Sequence, residues 1–146
     1  MTDAITHEIT IHALIDRVWD LLTQPEHIAR WYAFDGADID LQPGGRLVFR
    51  WREHGEYRGR IVRVDKPHTL SFRFVGHVPD QDPNLHNSTL VTFTLRERGG
   101  STTVRVDESG FAGLIDPREG DVNKSVISLE GWRGGFEALA AYAVQA

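Results

Sequence analysis

The chain has 146 residues, 40% of them hydrophobic and 25% charged, with a formal net charge of −5. This size and balance predict one soluble domain, 1–146, able to bury a sizeable core, and the acidic excess excludes a general nucleic-acid binder. The lack of cysteine excludes disulfides and thiolate metal sites, and no apolar run reaches the roughly 18 residues of a membrane span.

The first residues, MTDAITHEIT, have neither the basic start nor the apolar core of a secretion signal, so a cytoplasmic location is expected. Over 5–13, Ile5, His7, Ile9, Ile11 and Ala13 alternate with Thr6, Glu8, Thr10 and His12, the period of a half-buried strand. Val18, Trp19, Leu21 and Leu22 then predict a short amphipathic helix over 16–22. Thr23-Gln24-Pro25-Glu26 reads as a capping box: Thr23 caps, Pro25 takes the first helical position and Glu26 reaches back. The helix it starts runs through Ile28 to Trp31 or Tyr32.

Strand follows strand after that. A short one is expected over 37–41, then a type II turn at Gln42-Pro43-Gly44-Gly45. Leu47, Phe49 and Trp51 alternate with Arg46, Val48, Arg50 and Arg52. Residues 57–64 form another strand, but both of its faces are mixed and its inward side stays open. Leu70, Phe72 and Phe74 alternate with Ser71, Arg73 and Val75. A long loop, 76–87, precedes Val91, Phe93 and Leu95, which alternate with Leu90, Thr92, Thr94 and Arg96. Gly99-Gly100 is a hairpin signal. Val104, Val106 and Glu108 alternate with Thr103, Arg105, Asp107 and Ser109. Last come Val122, Val126, Leu129, Trp132, Phe136, Leu139, Ala140 and Ala143, spaced as one apolar stripe on a long helix. Asp116-Pro117-Arg118-Glu119 repeats the capping pattern and allows that helix to start at 117.

This order predicts an α+β architecture: an antiparallel curved sheet of six to seven strands wrapped around a long C-terminal helix, with two short helices after strand 1 closing one end. The long helix contains Gly131, Gly134 and Gly135, each costing about 1 kcal/mol against alanine. Two readings are open: close packing or a kink where the helix crosses the sheet, or a gap left for a ligand beside Trp132 and Phe136.

The same stretches carry a family resemblance. Val18-Trp19-Asp20-Leu21-Leu22-Thr23 with Pro25-Glu26 and Trp31, then Pro43-Gly44-Gly45, then Tyr57-Arg58-Gly59-Arg60-Ile61-Val62, are followed by Lys66-Pro67, Leu70-Ser71-Phe72, 88–95, the Gly-Gly hairpin, Val104-Arg105-Val106 and Gly131-Trp132. In this order the chain resembles the helix-grip (START and Bet v 1-like) superfamily, and within it the branch of the activator of Hsp90 ATPase C-terminal domain. The resemblance implies a cavity between sheet and long helix that takes up an apolar or amphipathic small molecule. It implies no reaction, because the branch has no universal catalytic signature.

Expected wall residues are aromatic: Trp31, Tyr32 and Phe34 after the second short helix, Phe49, Trp51, Phe72, Phe74 and Phe93 from the sheet, and Trp132 and Phe136 from the long helix. Glu108 is the informative polar position. By parity with Val104 and Val106 it faces inward, where it orients a ligand hydroxyl or acts as general acid or base, unless the strand ends before it or an inward Arg58 or Arg60 pairs with it. No metal site and no cofactor are expected. His77, Asp80, Asp82 and His86 on the long loop are metal-ligating types, but two prolines and irregular spacing argue against a site; a gate over the cavity or a plain solvated loop are the readings for that segment. Arg50, Arg52, Arg63, Arg73 and Arg105 read as the solvated outer face of the sheet, paired with acids across strands, or as an anion-binding patch. Three functions follow in rank: binding of a hydrophobic small molecule; a polyketide cyclase or dehydratase-like enzyme using Glu108; and an Hsp90-type co-chaperone or protein-interaction domain. Ligand binding ranks above catalysis, and a homodimer is compatible with all three.

Overall fold

A computed structural model of the chain describes residues 3–114 and 124–145. The described residues form β1 (Ala4–Ile11), α1 (Ile15–Thr23), α2 (Pro25–Trp31), β2 (Ala37–Ile39), β3 (Arg46–Trp51), β4 (Gly55–Asp65), β5 (Thr69–Phe74), β6 (Thr89–Arg98), β7 (Ser101–Ser109), a 3-10 turn at Phe111–Gly113 and α3 (Lys124–Gln145). The seven strands make one curved antiparallel sheet in the order β1-β7-β6-β5-β4-β3-β2. It is a meander from β2 to β7 closed by β1 on the far side of β7. None of the described helices is long and apolar enough to cross a membrane.

Alternation sets which face is buried. Across the strands, Ile5, Glu108, Val91, Phe72 and Ile61 form one inward row. His7, Val106, Phe93, Leu70 and Val64 form the next. Such cross-strand rows are what a covering helix packs on. On β4, Gly59 and Ile61 are buried, but the register shifts between Ile61 and Arg63. Past that bulge the parity flips, so Val64 faces in and Val62 is exposed. Gly59 is required where it stands: a Cβ there would lie 2.6 Å from the Arg73 carbonyl oxygen.

The helices differ from expectation at two places. Thr23 does not cap α2. It is the last residue of α1, and its hydroxyl bonds back to the Trp19 carbonyl at 2.8 Å, while Gln24 takes the cap position without a side-chain hydrogen bond. A threonine at a helix end has this i−4 alternative always within reach. Pro25 does stand at the start of α2. On α3 the apolar stripe runs through Trp132, Phe136, Leu139 and Ala143, but Val126 is exposed and Ser125 is buried in its stead. Val122 and the capping pattern at 116–119 lie outside the described residues.

α3 approaches β1, α1 and α2 most closely. Opposite the middle strands the space is filled by large rings: Phe93 meets Trp132 edge-on at 5.5 Å and Phe136 at 6.2 Å. The His27 ring bonds the Tyr142 hydroxyl at 2.7 Å and ties α2 to α3. The arginines are paired on the outer face: Arg50 with Asp38 and Glu56, Arg46 and Arg58 with Glu56, Arg52 with Asp35, Arg63 with Asp65 and Arg105 with Asp107. Arg60 bonds the Gly44 carbonyl and Arg73 the Ser88 carbonyl and hydroxyl.

Candidate functional site

A cavity of about 580 Å³ opens between the sheet and the first half of α3. Its aromatic walls are Tyr32, Trp51, Phe74, Phe111 and Trp132, with Leu114 and Ile127 beside them. The polar lining is Glu108, Thr89, Ser128, His54, His77 and Lys124. Volume and lining are those of a small-molecule site, apolar with a few convergent polar groups.

Tyr32, just past α2, is the hub of the walls. Its ring stacks on Trp132 at 5.3 Å and 12° and meets Trp51 edge-on at 5.0 Å and Phe49 at 5.4 Å. Trp51 is locked in turn, because its indole N–H donates to the Tyr32 carbonyl at 2.7 Å. Burial, and then the negative charge of nearby Glu108, push the Tyr32 phenol well above its ordinary range.

Glu108 is 3% exposed and faces inward, as parity requires. Neither arginine pairs with it: Arg58 bonds Glu56, and Arg60 bonds a backbone carbonyl. Neutral donors hold it. Thr89 donates to Oε2 at 2.5 Å, and the Trp132 indole N–H donates to Oε1 at 2.9 Å. The Ser128 hydroxyl also donates to Oε1. Ser128 and Trp132 are four apart on α3, so one helix face presents both.

Of the expected wall residues, the fold brings Tyr32, Trp51, Phe74, Glu108 and Trp132 to the cavity. Phe49, Phe72, Phe93 and Phe136 are buried in an aromatic layer behind it. Trp31 is buried with its N–H on the Leu21 carbonyl at 2.8 Å. Phe34 is not brought in and is 62% exposed: the chain reverses after α2, Gly36 N–H bonds the Ala33 carbonyl, and Ala33 takes the buried position. Thr89 and Ser128 escape a search for aromatics. Thr89 had a signal in its parity with Val91 and Phe93, and Ser128 in its helical spacing from Trp132.

The two glycine readings divide between positions. A Cβ at Gly135 would lie 3.2 Å from Tyr32 Cδ1 and 3.5 Å from Trp31 Cζ3, which is close packing. Gly131 lines the cavity and a Cβ there meets nothing within 4 Å, which is open room. Nothing in the structure explains glycine at 134. The long loop reaches the cavity through Gly76 and His77 and is knitted by Asn84 and Asn87: the Asn87 side chain accepts from the Asn84 N–H at 2.7 Å and donates to the Asp82 carbonyl at 2.9 Å. Among the described residues, His77, Asp80, Asp82 and His86 do not gather into a group that would hold a metal.

The family model for activator of Hsp90 ATPase homolog 1-like proteins matches residues 12–143. The chain belongs to this family. Its fold is the helix grip of the START and Bet v 1-like superfamily. Among solved structures, a Mesorhizobium loti protein is similar to this family member at 25% identity and a TM-score of 0.79, with 98% of each chain covered. The Aha1 dimer from Colwellia psychrerythraea is similar at 18% identity and 0.73, covering 95% of this chain and 94% of that one. An Hsp90 activator from Plasmodium falciparum is similar at 14% identity and 0.75, covering 97% and 96%. The last two likenesses show the fold alone. No curated protein matches the chain by sequence.

Proposed function

We propose that this protein binds a hydrophobic or amphipathic small molecule in the cavity between the curved sheet and α3. The observation that carries this reading is the room itself: about 580 Å³ walled by Tyr32, Trp51, Phe74 and Trp132, with Gly131 leaving the helix side open. That volume falls in the range of roughly 300–1,000 Å³ typical of ligand sites. Native mass spectrometry of the purified protein, followed by extraction, is the test, with Gly131→Leu as the blocking variant. A bound small molecule present in the wild type and lost from a folded Gly131→Leu variant is the expected result. A ligand retained unchanged by that variant, or none acquired from any apolar compound offered, would overturn the proposal. The dimeric state of the Colwellia relative also supports a homodimer of this chain, which light scattering on the purified protein tests.

A further inference from the structure

Glu108 is the feature of the cavity that packing does not explain. It stands in an apolar row of the sheet between Ile5 and Val91, nearly fully buried. A buried carboxylate is expensive unless it is hydrogen-bonded and paired. Here the first condition is met and the second is not. Thr89, Ser128 and Trp132 are all neutral donors, so they solvate the charge without cancelling it. None of the ion pairs among the described residues includes Glu108.

The protein's own donors do not use the whole accepting capacity of Glu108. A carboxylate has about four acceptor sites. Ser128 and Trp132 fill Oε1, and Thr89 takes one site on Oε2, so one site on Oε2 remains. The cavity that Glu108 lines is walled by the rings of Tyr32, Trp51, Phe74 and Trp132, and π faces attract a cation and repel an anion. Lys124 is the one lysine or arginine among the described lining residues. It precedes Ser128 by four residues, about 6 Å along α3 on the side away from Trp132.

Building on the small-molecule binding proposed above, we infer that the cavity selects an apolar ligand carrying a protonated amine. The ammonium donates an N–H to the remaining site on Glu108 Oε2, and the apolar body lies along Trp132, Tyr32 and Trp51. A neutral ligand leaves the carboxylate uncompensated, an anion adds a second like charge, and a quaternary ammonium lacks the N–H.

Titration calorimetry at pH 7 with phenylbutylamine, phenylbutanol and phenylpentanoate, which share one apolar body, tests this. The amine should bind at least about tenfold tighter than the alcohol, with the carboxylate weakest, as a charge-assisted bond against neutral and repulsive contacts requires. Glu108→Gln should reduce the amine preference to about threefold or less. If Glu108→Gln does not fold, NOEs in the wild type decide: the methylene beside the amine nitrogen should contact Trp132 and Ser128 protons. Equal binding of all three compounds, an amine preference that survives Glu108→Gln, or a bound amine without those NOEs would overturn amine selection while leaving ligand binding standing. Binding of none of the three would overturn both.

Discussion

Glycine-to-alanine changes along α3 separate helix propensity from packing, because the three glycines of one helix face different surroundings. Gly134→Ala adds a methyl where nothing lies within 4 Å, so the helix gains about 1 kcal/mol and nothing opposes it. For a chain of this size that is roughly 3 °C in Tm. Gly135→Ala gains the same propensity but puts its methyl 3.2 Å from Tyr32 Cδ1 and 3.5 Å from Trp31 Cζ3. Carbon contacts are comfortable at about 3.5–4.0 Å, so the Tyr32 ring must yield by a few tenths of an ångström. It has little freedom to do so, with Trp132 stacked at 5.3 Å and Trp51 edge-on at 5.0 Å. Overpacking of this sort costs about 1–3 kcal/mol. Gly135→Ala should therefore be neutral to about 2 kcal/mol destabilised, and at least about 1 kcal/mol below Gly134→Ala. Urea unfolding followed by far-UV circular dichroism, with equal m-values, measures the difference. If Gly135→Ala is stabilised as much as Gly134→Ala, Tyr32 is not clamped, and the rigid aromatic wall built on it falls.

Three other outcomes follow from the same contacts. Glu108→Ala leaves the buried Trp132 N–H without its acceptor and the Thr89 hydroxyl with only the Phe74 carbonyl at 3.4 Å; the loss should be about 2 kcal/mol in urea melts, and no loss would mean that these donors do not hold the carboxylate. Burial, and then Glu108, hold the Tyr32 phenol in the fold above its ordinary value of 10.0, so the unfolded chain releases that proton first. The stability from this group is thus complete below pH 10 and declines as pH rises above it, and Tyr32→Phe should lose less stability than the wild type between pH 8 and about 10.5. Tyr142→Phe removes the 2.7 Å bond to His27 between α2 and α3; it should cost about 1 kcal/mol in thermal melts and leave ligand affinity unchanged, since neither residue lines the cavity.

Hsp90-type association and cyclase-like catalysis rest on less than ligand binding does. Likenesses at 14% and 18% identity carry the fold and not the partner. The outer-face arginines already have acids beside them, as Arg50 and Glu56 on opposed strand positions show.

Periodicity by itself determined most of the architecture. Period-two alternation along β1, β3, β5, β6 and β7 fixed their inward faces, and so placed Glu108 inside, because a strand's side chains have only two directions to take. The stripe from Trp132 to Ala143 fixed the inward face of α3 for the corresponding reason. Tertiary structure alone decided the rest. The inward side of β4 depends on a bulge between Ile61 and Arg63, which composition does not announce and which reverses parity midway. Thr23 had two backbone partners in reach, and the junction of α1 with α2 chose between them. Phe34 turned outward because the reversal after α2 gave the buried place to Ala33. Val126 stands exposed while Ser125 is buried, and Ser128 donates to Glu108, a carboxylate on another element. Gly131 and Gly135 look alike in the chain and differ only in what stands opposite them. Each of these outcomes depends on distances between segments remote in sequence, which local pattern does not encode.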